Sequence, residues 1–343
     1  MDGSFAASDH GLDDRDWGLL LELIADKKCT PIVGSGACIG GPPVGVREKQ
    51  WSFKYPIGAD LSQQLAREFG YPFKDSGRIQ HVAQFIGVEQ GSMVPKQRIC
   101  KSLKNTSPPD FKFENEPHRV LAELALPVYI TSNFDDYLLH ALRLEERDVH
   151  VSLCRWNKHI PRDAPAFNPD PAERDQIPYC KVKEGDVPSG LIYPQATDAF
   201  YKPSPANPLA YYFHGHVSWP ASLVVTEDDY FEFLLNLSKA SPSLIMPRVQ
   251  QVFGDGSLLF LGYKLTDWDF LVLFRLLTDS LKGGGFKHIA VQLGPTQLAG
   301  NPTNATRAER AARYLGEYYG TRNIKVFSGS CQQFVAELKR RRE

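Results

Sequence analysis

Four short stretches carry residue types suited to chemistry on a nucleotide-like ligand. "CTPIVGSGACIGG", residues 29–41, runs from an apolar segment straight into Gly34, Ser35, Gly36 and Ala37. A glycine-rich turn after a strand lets backbone N–H groups approach a pyrophosphate, and the same glycines equally suit a tight turn that needs positive φ. Gly40 falls one residue late for the dinucleotide fingerprint, and no Walker lysine follows, which argues against a nucleoside triphosphatase. "TSNFDD", residues 131–136, places Asn133 and Asp135 just past another apolar run. There they either project into a crevice or, for Asp135 and Asp136, cap the next helix. "YYFHGHVSWP" sets His214 after a third apolar run, with Gly215 keeping the approach to it clear and His216 following. An imidazole with a pKa near ~6.5 suits general-base work at neutral pH. Two such histidines can also suggest a metal, but no cysteine or HExxH companion lies near them. In "LLFLGYKLTDWDF" a buried run ends on Gly262 and Tyr263, again permitting close backbone approach, and Asp267 is either a helix cap or a ligand contact.

Positioning these groups requires strands that end at them and helices that lead away. Trp17, Leu20, Leu21 and Ile24 share one helical face, and "CTPIV" reads as a short buried strand. Leu61, Leu65 and Phe69 mark a helix closing on Gly70, and a second helical zone runs from about Gln80 to Leu103; together they form a helical module over 57–110. "LPVYITSNFDDYLLHAL" repeats the strand, polar turn and helix design. "LVVTEDDYFEFL" reads as a strand, a cap at Thr226 and an amphipathic helix. Residues 257–261 and 288–293 read as buried strands, 266–277 as a helix, followed by a helix through Leu315, the strand "NIKVF" and a last helix through Leu338. Continuous apolar strands alternating with helices predict an α/β, doubly wound, mainly parallel Rossmann-like sheet. Residues 157–208 break the pattern with ten prolines and read as a long insertion.

Lys plus Arg number 39 against 40 Asp plus Glu, so the balance marks neither a nucleic-acid nor an anionic-membrane binder. The basic end "LKRRRE" suits a helix C-terminus, where cations offset the dipole. No run approaches the ~20 apolar residues that span a bilayer, and the N-terminus lacks a signal-peptide pattern, so a cytoplasmic protein is expected. Six cysteines lie scattered, with no Cys-x-x-Cys pair, which predicts free buried thiols rather than disulfides or a zinc ribbon.

Taken in order, these segments resemble the sirtuin-like NAD-hydrolase domains of bacterial anti-phage defence systems, from about Leu19 to Leu338 apart from the proline-rich insertion. "VGSGAC" is similar to that family's NAD loop, "TSNFD" to its Thr-x-Asn-x-Asp segment, "HGH" to its His-Gly pair, and "LLFLGYKLTDWDF" to its late strand and loop. The resemblance implies that Asn133 holds the ribose or water near the scissile bond and that His214 is the general base, with His216, His159 and His140 as substitutes. It implies that Gly34, Ser35, Gly36 and Ala37 cradle the pyrophosphate, that Asp135 meets the nicotinamide side, and that Gly262 and Tyr263 line the adenosine ribose.

The implied activity is hydrolysis of NAD⁺ to nicotinamide and ADP-ribose, depleting NAD⁺ in abortive defence. Activation by a partner or by assembly, a homo-oligomer, and a HerA-type ATPase or short Argonaute as partner follow from the same resemblance. Protein-deacylating sirtuins carry four zinc cysteines in two close pairs and a Gly-Ile-Pro-Asp-Phe-Arg segment. This chain has neither, so no zinc is expected. An NAD-dependent deacylase and a non-catalytic NAD- or ADP-ribose-binding scaffold are the rival readings.

Overall fold

A computed structural model describes residues 11–39, 41–157, 160, 166–167, 191–192, 202–244, 247–263, 265, 270, 274, 287–292, 305–321 and 323–343. Most of the predicted helix over 266–277, most of the proline-rich insertion, Gly40, His159, Cys180 and Asp267 lie outside the described residues. The helices are α1 (Asp14–Ala25), α2 (Gly36–Ile39), α3 (Ala59–Glu68), α4 (Ile79–Gln90), α5 (Met93–Lys104), α6 (Pro117–Glu123), α7 (Tyr137–Leu144), α8 (Glu227–Leu244), α9 (Pro247–Asp255), α10 (Ala305–Gly320) and α11 (Cys331–Arg342). The strands are β1 (Cys29–Val33), β2 (Val128–Thr131), β3 (His150–Leu153), β4 (Ala166–Phe167), β5 (Leu191–Ile192), β6 (Leu209–Tyr212), β7 (Ser257–Leu261), β8 (His288–Gln292) and β9 (Ile324–Ser328).

The chain divides into two compact units. The first comprises Met1–Ser52, Asp110–Ile130 and Gln250–Glu343. Its strands run in the order β2-β1-β7-β8-β9, with β1, β7, β8 and β9 parallel and Val33 opposite Leu261 at the end of the central pair. β1 and β7 are buried at every position, which is why "CTPIV" and "SLLFL" read as continuous apolar runs. The strand order turns at β1: the chain leaves it toward β2 and returns on its other side as β7. Around this sheet Trp17 of α1 stacks on Phe334 of α11 at 5.2 Å, with Phe327 of β9 edge-on at 6.1 Å. Asp13 caps α1 by accepting from the Asp16 N–H at 2.8 Å. Asp16, buried itself, lies 3.2 Å from the Lys325 ammonium.

The second unit comprises Phe53–Pro109 and Thr131–Val249. Its strands run β5-β4-β3-β6, with β3 and β6 parallel and the two-residue β4 and β5 antiparallel at the edge. The architecture is the doubly wound, mainly parallel Rossmann-like sheet flanked by helices that the alternating pattern predicts. The predicted helical module consists of α3, α4 and α5. Gly70, at φ +66, terminates α3 as a C-terminal cap, with the Tyr71 N–H reaching back to the Ala66 carbonyl. Gly91, at φ +100, separates α4 from α5, so the single zone read from the sequence is two helices.

Leu65, Val82, Ile86 and Ile99 of this module pack with Val217, Leu223 and Val225, which follow the second histidine. Residues 223–225 are not the expected strand. Their extended backbone makes one sheet-like bond, from the Val224 N–H to the His214 carbonyl, because the turn at 220–222 spends the residues a ladder would need. Thr226 does cap α8: its Oγ1 accepts from the Asp229 N–H, and Asp229 Oδ2 accepts from the Thr226 N–H at 2.9 Å. Asp229 Oδ1 also accepts from the buried Lys96 ammonium at 2.7 Å, and that ammonium sits 5.4 Å over the Trp156 ring. Truncating one partner of such a pair leaves the other charge unpaired in the interior. Lys96→Met is therefore expected to cost about 3 kcal/mol in urea unfolding, with part of the loss recovered in Lys96→Met/Asp229→Asn.

Candidate active site

The first unit brings together every glycine-loop residue named from the sequence. The Gly34 N–H extends the central ladder to the Leu261 carbonyl at 2.7 Å, and the Gly36 N–H donates to the Gly262 carbonyl at 2.9 Å. A Cβ on Gly34 would meet the Gly262 oxygen at 2.9 Å, and one on Gly36 would meet the Gly262 Cα at 2.8 Å. Gly262, at φ +77, has the Ala37 nitrogen 2.3 Å and the Gly34 oxygen 2.6 Å from where its own Cβ would stand. The three glycines thus face one another, backbone on backbone, past the carboxyl ends of β1 and β7.

This is the turning point of the strand order, the place where open α/β sheets bind ligands. The Gly34, Gly36, Ala37 and Cys38 N–H groups are all engaged within the chain. The loop offers a nucleotide a side-chain-poor surface carrying the exposed Ser35. Tyr263, half-buried, lies edge-on to Phe260 at 6.4 Å, and its hydroxyl donates to the Val33 carbonyl at 3.4 Å. These residues fit a dinucleotide lying against backbone rather than against charged side chains.

The second unit brings the other set together. The Phe213 N–H donates to the Thr131 carbonyl at 2.8 Å, and the Val217 N–H donates to the Phe134 carbonyl at 2.8 Å. Segments 131–134 and 213–217 therefore run side by side, with Asn133 on one and His214 on the other. Both residues are buried, and the Asn133 N–H donates to Thr131 Oγ1 at 3.0 Å, which sets the turn. Asp135 accepts from the Tyr55 hydroxyl at 2.9 Å and from the Tyr137 N–H at 3.1 Å. It performs the capping role that the sequence left open, while Asp136 at the formal N-cap makes no side-chain cap bond. Tyr55 has no sequence signal, because its partner lies 80 positions away.

His214 packs edge-on against Phe233 at 5.1 Å and Tyr230 at 5.7 Å. Burial pushes its pKa down to about 4, so the ring is neutral at pH 7. His216 is likewise pushed down to about 4 by burial, but its Nδ1 accepts from the Ser218 N–H at 3.1 Å. That bond fixes the tautomer with the proton on Nε2 and occupies the nitrogen that a base would use. His140 lies on α7, partly exposed, 3.5 Å from Asp136.

Gly215 serves a purpose other than clearing the approach to His214. At φ +94, its Cβ would strike the Ser222 carbonyl oxygen at 2.2 Å. Ser222 accepts from the His216 N–H at 3.0 Å, and its carbonyl accepts from Trp156 Nε1 at 2.7 Å. Trp156 and Ser222 thereby hold the histidine segment, and only tertiary contact reveals them.

Gly262→Ala and Gly215→Ala are expected to cost about 3 kcal/mol or more, because a positive φ and a backbone clash coincide. Gly41, at φ +82 with open space around it, is the control: Gly41→Ala costs only about 1–2 kcal/mol of backbone strain. Chemical-denaturation midpoints measure the difference. His150, His214, His216 and His288 are all pushed down to about 4 by burial, so the unfolded chain takes up protons that the native state refuses. Stability should be full above about pH 6.5, fall as pH drops toward 4, and change little through these groups below that. Urea midpoints at pH 7.5, 6, 5 and 4 test the sign.

The SIR2-like domain model matches residues 127–322. Comparison with curated proteins gives no match. Among solved structures, a Sir2 point mutant with p53 peptide and NAD is similar over 94% of this chain and 96% of that chain, at 12% identity and a TM-score of 0.29. The matched span is more than half of the chain and contains the Asn133, His214 and Gly262 segments, and the chain accordingly belongs to the SIR2-like domain family, whose members bind or process NAD.

Proposed function

We propose that the protein is an NAD⁺ glycohydrolase acting in abortive anti-phage defence. The observation that supports the reading is the pairing of segments 131–134 and 213–217, which sets the buried Asn133 and the buried, neutral His214 on adjacent stretches of backbone. In the reaction, the bond between ribose C1′ and the nicotinamide nitrogen breaks, and its electron pair neutralises the pyridinium. A water oxygen bonds to C1′ through an oxocarbenium-like state, and its proton passes to His214. Asn133 orients the ribose or the water; it has no proton to exchange at neutral pH. A neutral base in an apolar pocket suits a cationic substrate, since an imidazolium there would repel the developing charge.

Gly34, Ser35, Gly36 and Ala37 hold the pyrophosphate, Asp135 supports the nicotinamide side through the turn it caps, and Gly262 and Tyr263 line the adenosine ribose. The absence of paired cysteines in the sequence favours hydrolysis over deacylation, since the acyl-lysine cleft of deacylases is built around their zinc module. A homo-oligomer and a HerA-type ATPase or short Argonaute partner complete the proposal, set in the cytoplasm.

NAD⁺ incubated with the protein, alone and with co-expressed neighbouring gene products, should yield nicotinamide and ADP-ribose on HPLC. Asn133→Ala and His214→Ala should each lose at least ~100-fold, the scale of a positioned acid or base. Intact NAD⁺ in every tube with binding retained would instead support a scaffold. Because burial holds His214 well below the usual histidine range, kcat/KM should persist at pH 5.5 and fall only nearer its depressed pKa. An acid limb centred near 6.5 would remove His214 from the role of base.

A further inference from the structure

Cys38, His118 and Glu116 form a buried line in the first unit that the reading above does not use. Glu116 Oε1 lies 2.7 Å from His118 Nδ1, and His118 Nε2 lies 3.7 Å from Cys38 Sγ. All three are buried, with Cys38 5% exposed and the other two 1%. Glu116 Oε2 separately accepts from the Arg119 N–H at 2.8 Å, so capping of α6 occupies one oxygen and leaves the other for the imidazole. The carboxylate holds the proton on Nδ1 and turns Nε2, as acceptor, toward the thiol. That is the relation of nucleophile, base and orienting group found in activated thiols.

The position adds a consequence. Cys38 belongs to α2, one residue beyond Ala37, whose nitrogen lies against Gly262. With Cys38 only 5% exposed, the sulfur is open at most to small reagents. We propose that Cys38, with His118 and Glu116, is a nucleophilic thiol site that reacts with small peroxides directly behind the glycine contact. The sulfur attacks one peroxide oxygen, the O–O bond breaks, and the sulfur gives up two electrons. With hydrogen peroxide, His118 takes the thiol proton and passes it to the departing hydroxide, leaving Cys38 as the sulfenic acid plus water. The added oxygen must displace α2 or its neighbours, because the thiol is already enclosed.

Three other cysteines serve as internal standards. Burial pushes the Cys29, Cys154 and Cys331 thiols up to about 12. Native protein is treated with hydrogen peroxide and dimedone, and adduct formation at each cysteine is followed by peptide mass spectrometry. Cys38 should be labelled at least ~10-fold faster than Cys29, Cys154 and Cys331. Glu116→Gln, which keeps an oxygen for the α6 cap, and His118→Gln should each slow Cys38 by at least ~5-fold without changing the other three. If either variant fails to fold, the other supplies the comparison, and the ranking within the wild-type protein stands alone. Labelling of Cys38 no faster than the three standards, or unchanged in the folded variants, overturns the proposal. This test does not depend on NAD⁺ turnover, so its failure leaves the hydrolase reading untouched.

Discussion

The contact of Gly34 and Gly36 with Gly262 is the constraint on which the first unit turns. Two neighbouring parallel strands end at the same level, and their continuing chains must part within a residue or two. Any side chain at these positions would wedge the strand ends apart, since the spaces measure 2.3–2.9 Å to backbone atoms. The glycines allow β1 and β7 to stay in register to Val33 and Leu261, and the ladder continues one bond beyond the strands. The floor of the crevice is therefore backbone. Such a surface presents backbone and small side chains, its Gly34, Gly36, Ala37 and Cys38 N–H groups being spent within the chain.

The second unit solves a different problem, that of burying two imidazoles. Desolvation disfavours the charged ring, and the fold answers by keeping both neutral and assigning one of them a backbone donor. His214 instead packs between the Tyr230 and Phe233 rings. The cost is met by packing around it: Gly215 accepts the turn at Ser222, Trp156 ties that turn down, and the helical module covers Val217, Leu223 and Val225. The module's place in the fold is then physical as well as topological, because the histidine segment has no complete core without it.

Buried charge in the same unit follows a consistent rule. Lys96 is balanced by Asp229, which also closes the capping box of α8, so one carboxylate fixes the helix start and neutralises the ammonium. In the first unit Asp16 is balanced by Lys325 and Lys287 at the sheet's other end. Such pairs specify geometry more than they stabilise, since desolvation offsets most of their attraction.

Much of this was legible in the sequence. Continuous apolar runs identified β1, β2, β7 and β8, because strands buried on both faces leave no room for alternation. Glycine and carboxylate signals placed the ends of α3 and α8, since capping is chemistry between near neighbours. The site segments could also be read from residue type: Asn133, His214 and the loop glycines sit where strand ends meet polar turns. What the sequence could not supply was partnership across distance. That the glycines face Gly262 and that Asp135 binds Tyr55 depend on atoms about 80 to 230 positions apart, and that Gly215 is required by Ser222 and that residues 223–225 miss the sheet depend on how a turn closes in three dimensions. Local propensity and period fix which elements form; only the closing of the core decides which backbone atoms touch, and hence which histidine receives a backbone donor.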